Sequence, residues 1–290
     1  MSVIETIKKT FKIVIENPNI TLCLVLFLIL SNFLIAYIPN ITTGWITTVL
    51  TLCVFFATSA FFSGWFEIAK ETKDIEKLKE KKVSTTFFEG IGKNIIPVTL
   101  GVIFSAVLFN LLLYALRIVA VKVFGTLDFL GQDMSTLPQD AESIKAYIQS
   151  LSADKLYAIY GWALSGLLVA GIYGFLLLFY MPAIINNQKN NMFLKPIIGI
   201  KDGICFVFKN FTGTLAIYLL ITTLYLTLAL INALFAKNTI LSILSLFVYI
   251  YFISFVIVLI FNYYEQKNNN PDRTDSLGED QCLDCTSKEV

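Results

Sequence analysis

Six apolar runs, each long enough to cross a bilayer, constrain this chain more than any other feature. They span about 20–38, 45–65, 95–116, 156–181, 215–235 and 240–263. Roughly 20 apolar residues in helical form cover a hydrocarbon core of about 30 Å. Backbone groups in lipid must bond within their own segment, so helices are expected rather than strands. Composition agrees. The chain is 56% hydrophobic and 15% charged, where soluble domains average about 45–50% and about 25%. Trp45 and Trp65 bracket the second run. At about 1.5 Å per residue their rings stand roughly 30 Å apart, which suits one ring at each membrane interface.

Basic residues set the orientation. The amino-terminal arm, the connections after the second and fourth runs, and the tail together hold 17 of the 22 lysines and arginines. These segments and both termini are therefore expected in the cytoplasm. The acidic segment 124–155 is expected outside, and 265–290 is expected to be a disordered cytoplasmic tail. The bias toward lysine, asparagine, isoleucine and phenylalanine suits an AT-rich bacterial genome. The location this implies is the plasma membrane.

Three short amphipathic stretches precede the first, third and fifth runs: KIVIENP, GIGKNI and FVFKNF. Ser2-Val-Ile-Glu5 and Thr86-Phe-Phe-Glu89 open two of them as capping boxes. Apolar residues recur at helical spacing in each. Such helices lie in the headgroup plane with one face in the acyl boundary. Phe11, Phe88 and Phe208 are the expected anchors, with Trp45 and Trp65. Asn17, Asn94 and Asn210 are expected to mark the bends into the bilayer. The expected fold is thus all-α: a polytopic bundle of six transmembrane helices in three hairpins, each hairpin preceded by a cytoplasmic interfacial amphipathic helix. One transmembrane domain would cover 1–264, with parallel repeats at about 2–66, 84–182 and 194–264.

The FFEGIGKN entry, the YMPAIINNQ exit and the GIKDGICFVFKNF segment resemble bacterial six-helix membrane families. These surround the membrane domain attached to some glycerophosphodiester phosphodiesterases. The resemblance covers about 2–264 and implies a fold and a membrane location. It carries over no catalytic residue, because the chain holds no phosphodiesterase domain.

The sites the sequence offers are modest. Asn32, Asn110 and Asn232 fall in the outer halves of the odd-numbered runs and form a candidate polar intramembrane cluster. They are cavity lining or, by preference, interhelical hydrogen bonding. Gly166, Ala170 and Gly174 recur at four-residue spacing and form a candidate helix-packing stripe. Glu67 is expected to begin a solvated extension. The aspartates and glutamates of 124–155 match no EF-hand loop. Cys282 and Cys285 supply only half of a zinc site.

Histidine is absent, which removes the commonest general base and metal ligand. No HExxH, P-loop or GxGxxG occurs. No enzyme activity, cofactor or metal is expected, and a net charge of +1 gives no reason to expect nucleic acid. The expected partners are membrane lipids, other membrane proteins or further copies of the chain. The function expected is that of a non-enzymatic scaffold or accessory factor in envelope or lipid homeostasis. A transporter or channel for a small or lipophilic solute is the alternative.

Overall fold

The computed structural model describes residues 3–37, 44–72, 83–127, 151–187, 191–235 and 238–268. Expectations for the charged run 73–82, most of the acidic segment and the tail fall outside the described residues. The described residues are mostly helical, joined by short turns, with no strand among them. The helices are α1 (Val3–Glu16), α2 (Pro18–Tyr37), α3 (Gly44–Glu71), α4 (Val83–Phe124), α5 (Ala153–Leu176), α6 (Tyr180–Asn186), α7 (Lys195–Lys209), α8 (Phe211–Phe235) and α9 (Thr239–Asn268).

Five stretches are long and apolar enough to cross a membrane: α3, α4, α5 continued through α6, α8 and α9. A sixth is counted when α1 and Pro18–Phe33, bent by 69° at their break, are taken together. The described residues are therefore all-helical in class, with five or six membrane-length helices. Polar side chains within them are accommodated by bonding along their own helix. Thr48, Thr51 and Thr58 each donate to the carbonyl four residues back, at 2.7–3.1 Å. α4 holds Pro97 inside a continuous helix. A membrane helix tolerates this because neighbouring groups re-satisfy the freed carbonyl.

The chain divides into two compact units, 1–94 with 212–290, and 95–211. In the first unit burial gathers at one end of each helix. It occupies the start of α2 (Ile20, Leu24), the end of α3 from Ser59, the start of α8 (Thr214, Ile217) and the end of α9 from Ser254. The other ends leave large apolar side chains uncovered, among them Leu30, Phe33, Trp45, Leu234 and Ile240. Contiguous apolar surface of this kind marks a non-aqueous neighbour.

In the second unit α4 and α5–α6 pair in antiparallel register. The Tyr180 hydroxyl donates to the Gly101 carbonyl at 3.3 Å, and Tyr173 to that of Ser105 at 2.5 Å. Further along, Trp162 Nε1 donates to the Gly125 carbonyl at 3.1 Å.

Trp65 is enclosed by protein and not exposed as a belt residue would be. It is fully buried, its Nε1 donates to the Ile20 carbonyl at 3.1 Å, and Phe61 stacks on it at 5.9 Å. The helix α3 continues past it to Glu71. Trp45, at the other end, is 72% exposed.

Candidate functional site

Three of the places where helices are joined involve a short helical segment that leads into a membrane-length helix. The first is α1. Its inward face is Thr6, Thr10, Ile13 and Val14, all buried. Thr6 Oγ1 donates to Gln266 Oε1 at 2.8 Å, and Asn262 Nδ2 donates to Thr10 Oγ1 at 3.4 Å. Thr6 and Thr10 are one turn apart, as are Asn262 and Gln266, so α1 runs antiparallel alongside the last turns of α9. The outward face carries Ile4, Phe11 and Ile15, all exposed. Lys8 and Lys12 flank it, and Lys12 pairs with Glu16 at 3.7 Å. The inward face thus mixes two threonines with two apolar residues, while a phenylalanine stands outside, unlike the wholly apolar inner stripe of a soluble amphipathic helix.

The second place is the start of α4. Gly90 presses on α3 so closely that a Cβ there would lie 2.5 Å from Glu67 Cβ, 2.9 Å from the Ser63 carbonyl oxygen and 3.0 Å from Gly64 Cα. That approach brings Asn94 Nδ2 within 2.9 Å of Glu67 Oε2. Both side chains are buried. Glu67 is therefore not the start of a solvated extension. The absent side chains of Gly64 and Gly90 pull the helices together over it, and an amide replaces the water it would otherwise hold. Asn94 does not mark a bend either, because α4 passes through it unbroken. Phe88 points away and is exposed.

The third place is α7, whose Gly199 and Gly203 lie against α6. A Cβ at Gly199 would meet Ile184 Cγ1 at 2.6 Å, and one at Gly203 would meet Tyr180 N and Cα at 3.3 Å. Phe206 packs on Phe179 with ring centres 4.7 Å apart. Ile197 and Phe208 face outward and are exposed.

Two asparagines end their helices in the same way. Asn17 donates from Nδ2 and from its backbone N–H to the Ile13 carbonyl, at 2.9 and 3.0 Å. Asn210 does the same to Phe206, at 3.2 and 3.0 Å. Asparagine suits such a helix end because its short amide can cap the last carbonyls.

The candidate cluster of Asn32, Asn110 and Asn232 has a different environment. All three are exposed. Asn32 Nδ2 donates to the Leu28 carbonyl and Asn110 Nδ2 to that of Ala106, both at 2.8 Å. These two amides are satisfied within their own helices. In the expected packing stripe, Gly166 has nothing within 4 Å of an added Cβ, and Ala170 is exposed. Gly174 is half-buried. The close approaches belong to other glycines. The sequence does carry a signal for them: Gly199 and Gly203 share the four-residue spacing. Gly64 and Gly90 lie on different helices and give no such pattern.

Among the described residues no three metal-ligating side chains come together. Two carboxylates are buried among the described residues, Glu67, with one amide donor on it, and Glu265 near the end of α9. No family model, curated protein or solved structure matched the chain.

Proposed function

We propose that this is a non-enzymatic integral membrane protein, a scaffold or accessory factor in envelope or lipid homeostasis. One observation carries the reading. Thr6, Thr10, Glu67, Asn94, Asn262 and Gln266 are polar side chains spent on joining one helix to another, each bonded to a side chain of a neighbouring element. The residues left outward are large and apolar.

The finer architecture follows the same reading. Six spans form three hairpins that begin in the cytoplasm of a bacterial plasma membrane, with both termini inside. The segments carrying Phe11, Phe88 and Phe208 act as interfacial anchors. α7 supports this most directly, since Asn210 alone separates it from the membrane-length α8. Phe208 thus lies within about one helical turn, roughly 5 Å, of the start of a span. Lipids are the first partner, with other membrane proteins or further copies of the chain as the second. The resemblance to six-helix membrane domains points to the same location.

Glu67 favours a second reading. A buried carboxylate within a membrane-length helix is a default candidate for ion or proton coupling, so the chain would be a transporter for a small solute. Purified protein in proteoliposomes separates the two. The scaffold reading expects no solute or ion flux above protein-free vesicles. Flux that disappears in Glu67→Gln, at unchanged folded yield, would replace it with transport. Orientation has its own test: a single cysteine in place of Ser143 should be labelled from outside intact cells.

A further inference from the structure

We infer that the three joints are one device in one register, and that each leading segment clasps the hairpin before its own, the first clasping the last. The inference rests on the threefold unit proposed above and changes its alignment. Placing 3–17, 87–101 and 196–210 in parallel sets Thr6, Gly90 and Gly199 at one position, and Thr10, Asn94 and Gly203 at the next turn. Every one of these six is buried. Ile7, Ile91 and Ile200 then coincide, as do the exposed Ile4, Phe88 and Ile197. The capping boxes at Ser2 and Thr86 fall in step. Asn17 and Asn210, with their matching caps, align with Gly101 and not with Asn94.

The other half of each joint repeats as well. A buried phenylalanine followed by a buried polar residue recurs in each partner, the polar member four to six residues before the helix end: Phe66-Glu67 in α3, Phe179-Tyr180 at the start of the short α6, and Phe261-Asn262 in α9. In every case the second member meets the same position of the leading segment. Glu67 accepts from Asn94, Asn262 donates to Thr10, and the Tyr180 backbone lies against Gly203. Two joints use a polar pair. The third uses a glycine against backbone, where an added Cβ would meet Tyr180 N and Cα at 3.3 Å.

If the joints are equivalent, their pairs are portable. The double variant Glu67→Asn with Asn94→Thr gives the second joint the residues of the first. It should unfold within a few degrees of the wild type and above both single variants. A midpoint at or below the lower single variant would overturn the equivalence. The cyclic order has a separate readout. Thr10→Pro breaks α1, and hydrogen exchange should then rise at least tenfold at 258–266 of α9 while 59–67 of α3 keeps its protection. Unchanged exchange at 258–266 would overturn the clasp. Neither result bears on the interfacial anchors, which depend on the outward phenylalanines.

Discussion

The contrast between Gly90→Ala and Gly166→Ala tests whether the close helix contact has been placed correctly. In a helix interior alanine is favoured over glycine by about 1 kcal/mol. At Gly166 nothing lies within 4 Å of the new methyl, so that gain should appear whole or nearly so. At Gly90 the methyl would enter 2.9 Å from the Ser63 carbonyl oxygen and 3.0 Å from Gly64 Cα. Both are backbone atoms and cannot rotate away. Overpacking of this kind costs about 1–3 kcal/mol. The third contact, Glu67 Cβ at 2.5 Å, would move the carboxylate off Asn94. A hydrogen bond to a charged group contributes about 1.5–3 kcal/mol. After the propensity gain, a net loss of about 1.5–5 kcal/mol remains. The two variants should therefore differ by about 2.5–6 kcal/mol, or roughly 5–24 °C at about 2–4 °C per kcal/mol. Thermal unfolding in detergent, followed by loss of the monodisperse peak in size-exclusion chromatography, measures this. A Gly90→Ala protein as stable as Gly166→Ala would refute the reasoning.

Three further outcomes follow from the same packing. Trp65→Phe should lower the midpoint, since the buried Ile20 carbonyl loses its indole donor at a cost of about 1–3 kcal/mol. Trp45→Phe should leave it unchanged in the same assay. Ala170→Leu should be neutral in thermal stability, because that side chain is exposed rather than pressed between helices; a marked loss would restore the stripe of small residues as a packing face. Phe208→Asp should reduce the folded yield in membranes more than Lys209→Ala. A buried aromatic contributes about 1.5–3 kcal/mol, and a lysine near an anionic surface about 1 kcal/mol. Equal yields would remove α7 from the interface.

The membrane-length helices were legible in the sequence because run length is a local property and lipid demands it. The outward phenylalanines were legible through helical periodicity. Trp65 was not. A pair of tryptophans at span spacing looks like a belt, but the second ring is enclosed by protein. A helix ends at Asn17, with a 69° bend, and at Asn210, where the amide caps it, whereas at Asn94 the helix is unbroken and the same amide reaches another helix. A better guide lay in the capping boxes. Counting from Ser2 and Thr86 separates Asn94 from Asn17 by two turns. The packing glycines were hidden for a different reason. Four-residue spacing marks a smooth helix face, but whether anything fills that face depends on the partner. Gly166 and Gly199 both sit in such patterns, and only Gly199 has a neighbour.

The same ambiguity explains why the candidate site moved from the outer asparagines to Glu67 and Asn94. A polar residue in an apolar helix has two ways to satisfy itself. It can bond the carbonyl one turn back, as Asn32, Asn110 and Thr58 do, and then it needs nothing from a neighbour. Or it can bond across to another element, as Asn94 and Asn262 do, and then it fixes where two helices meet. Both uses write the same letter in the sequence. What separates them is the space opposite. Where a glycine or threonine lets a second helix approach, the amide turns outward from its own backbone; where only lipid faces it, the amide folds back. A carboxylate oxygen accepts and has nothing to give a carbonyl of its own helix. Four residues before the end of α3, Glu67 takes its hydrogen bond from another element, and Asn94 on α4 is the donor that Gly90 allows to come close.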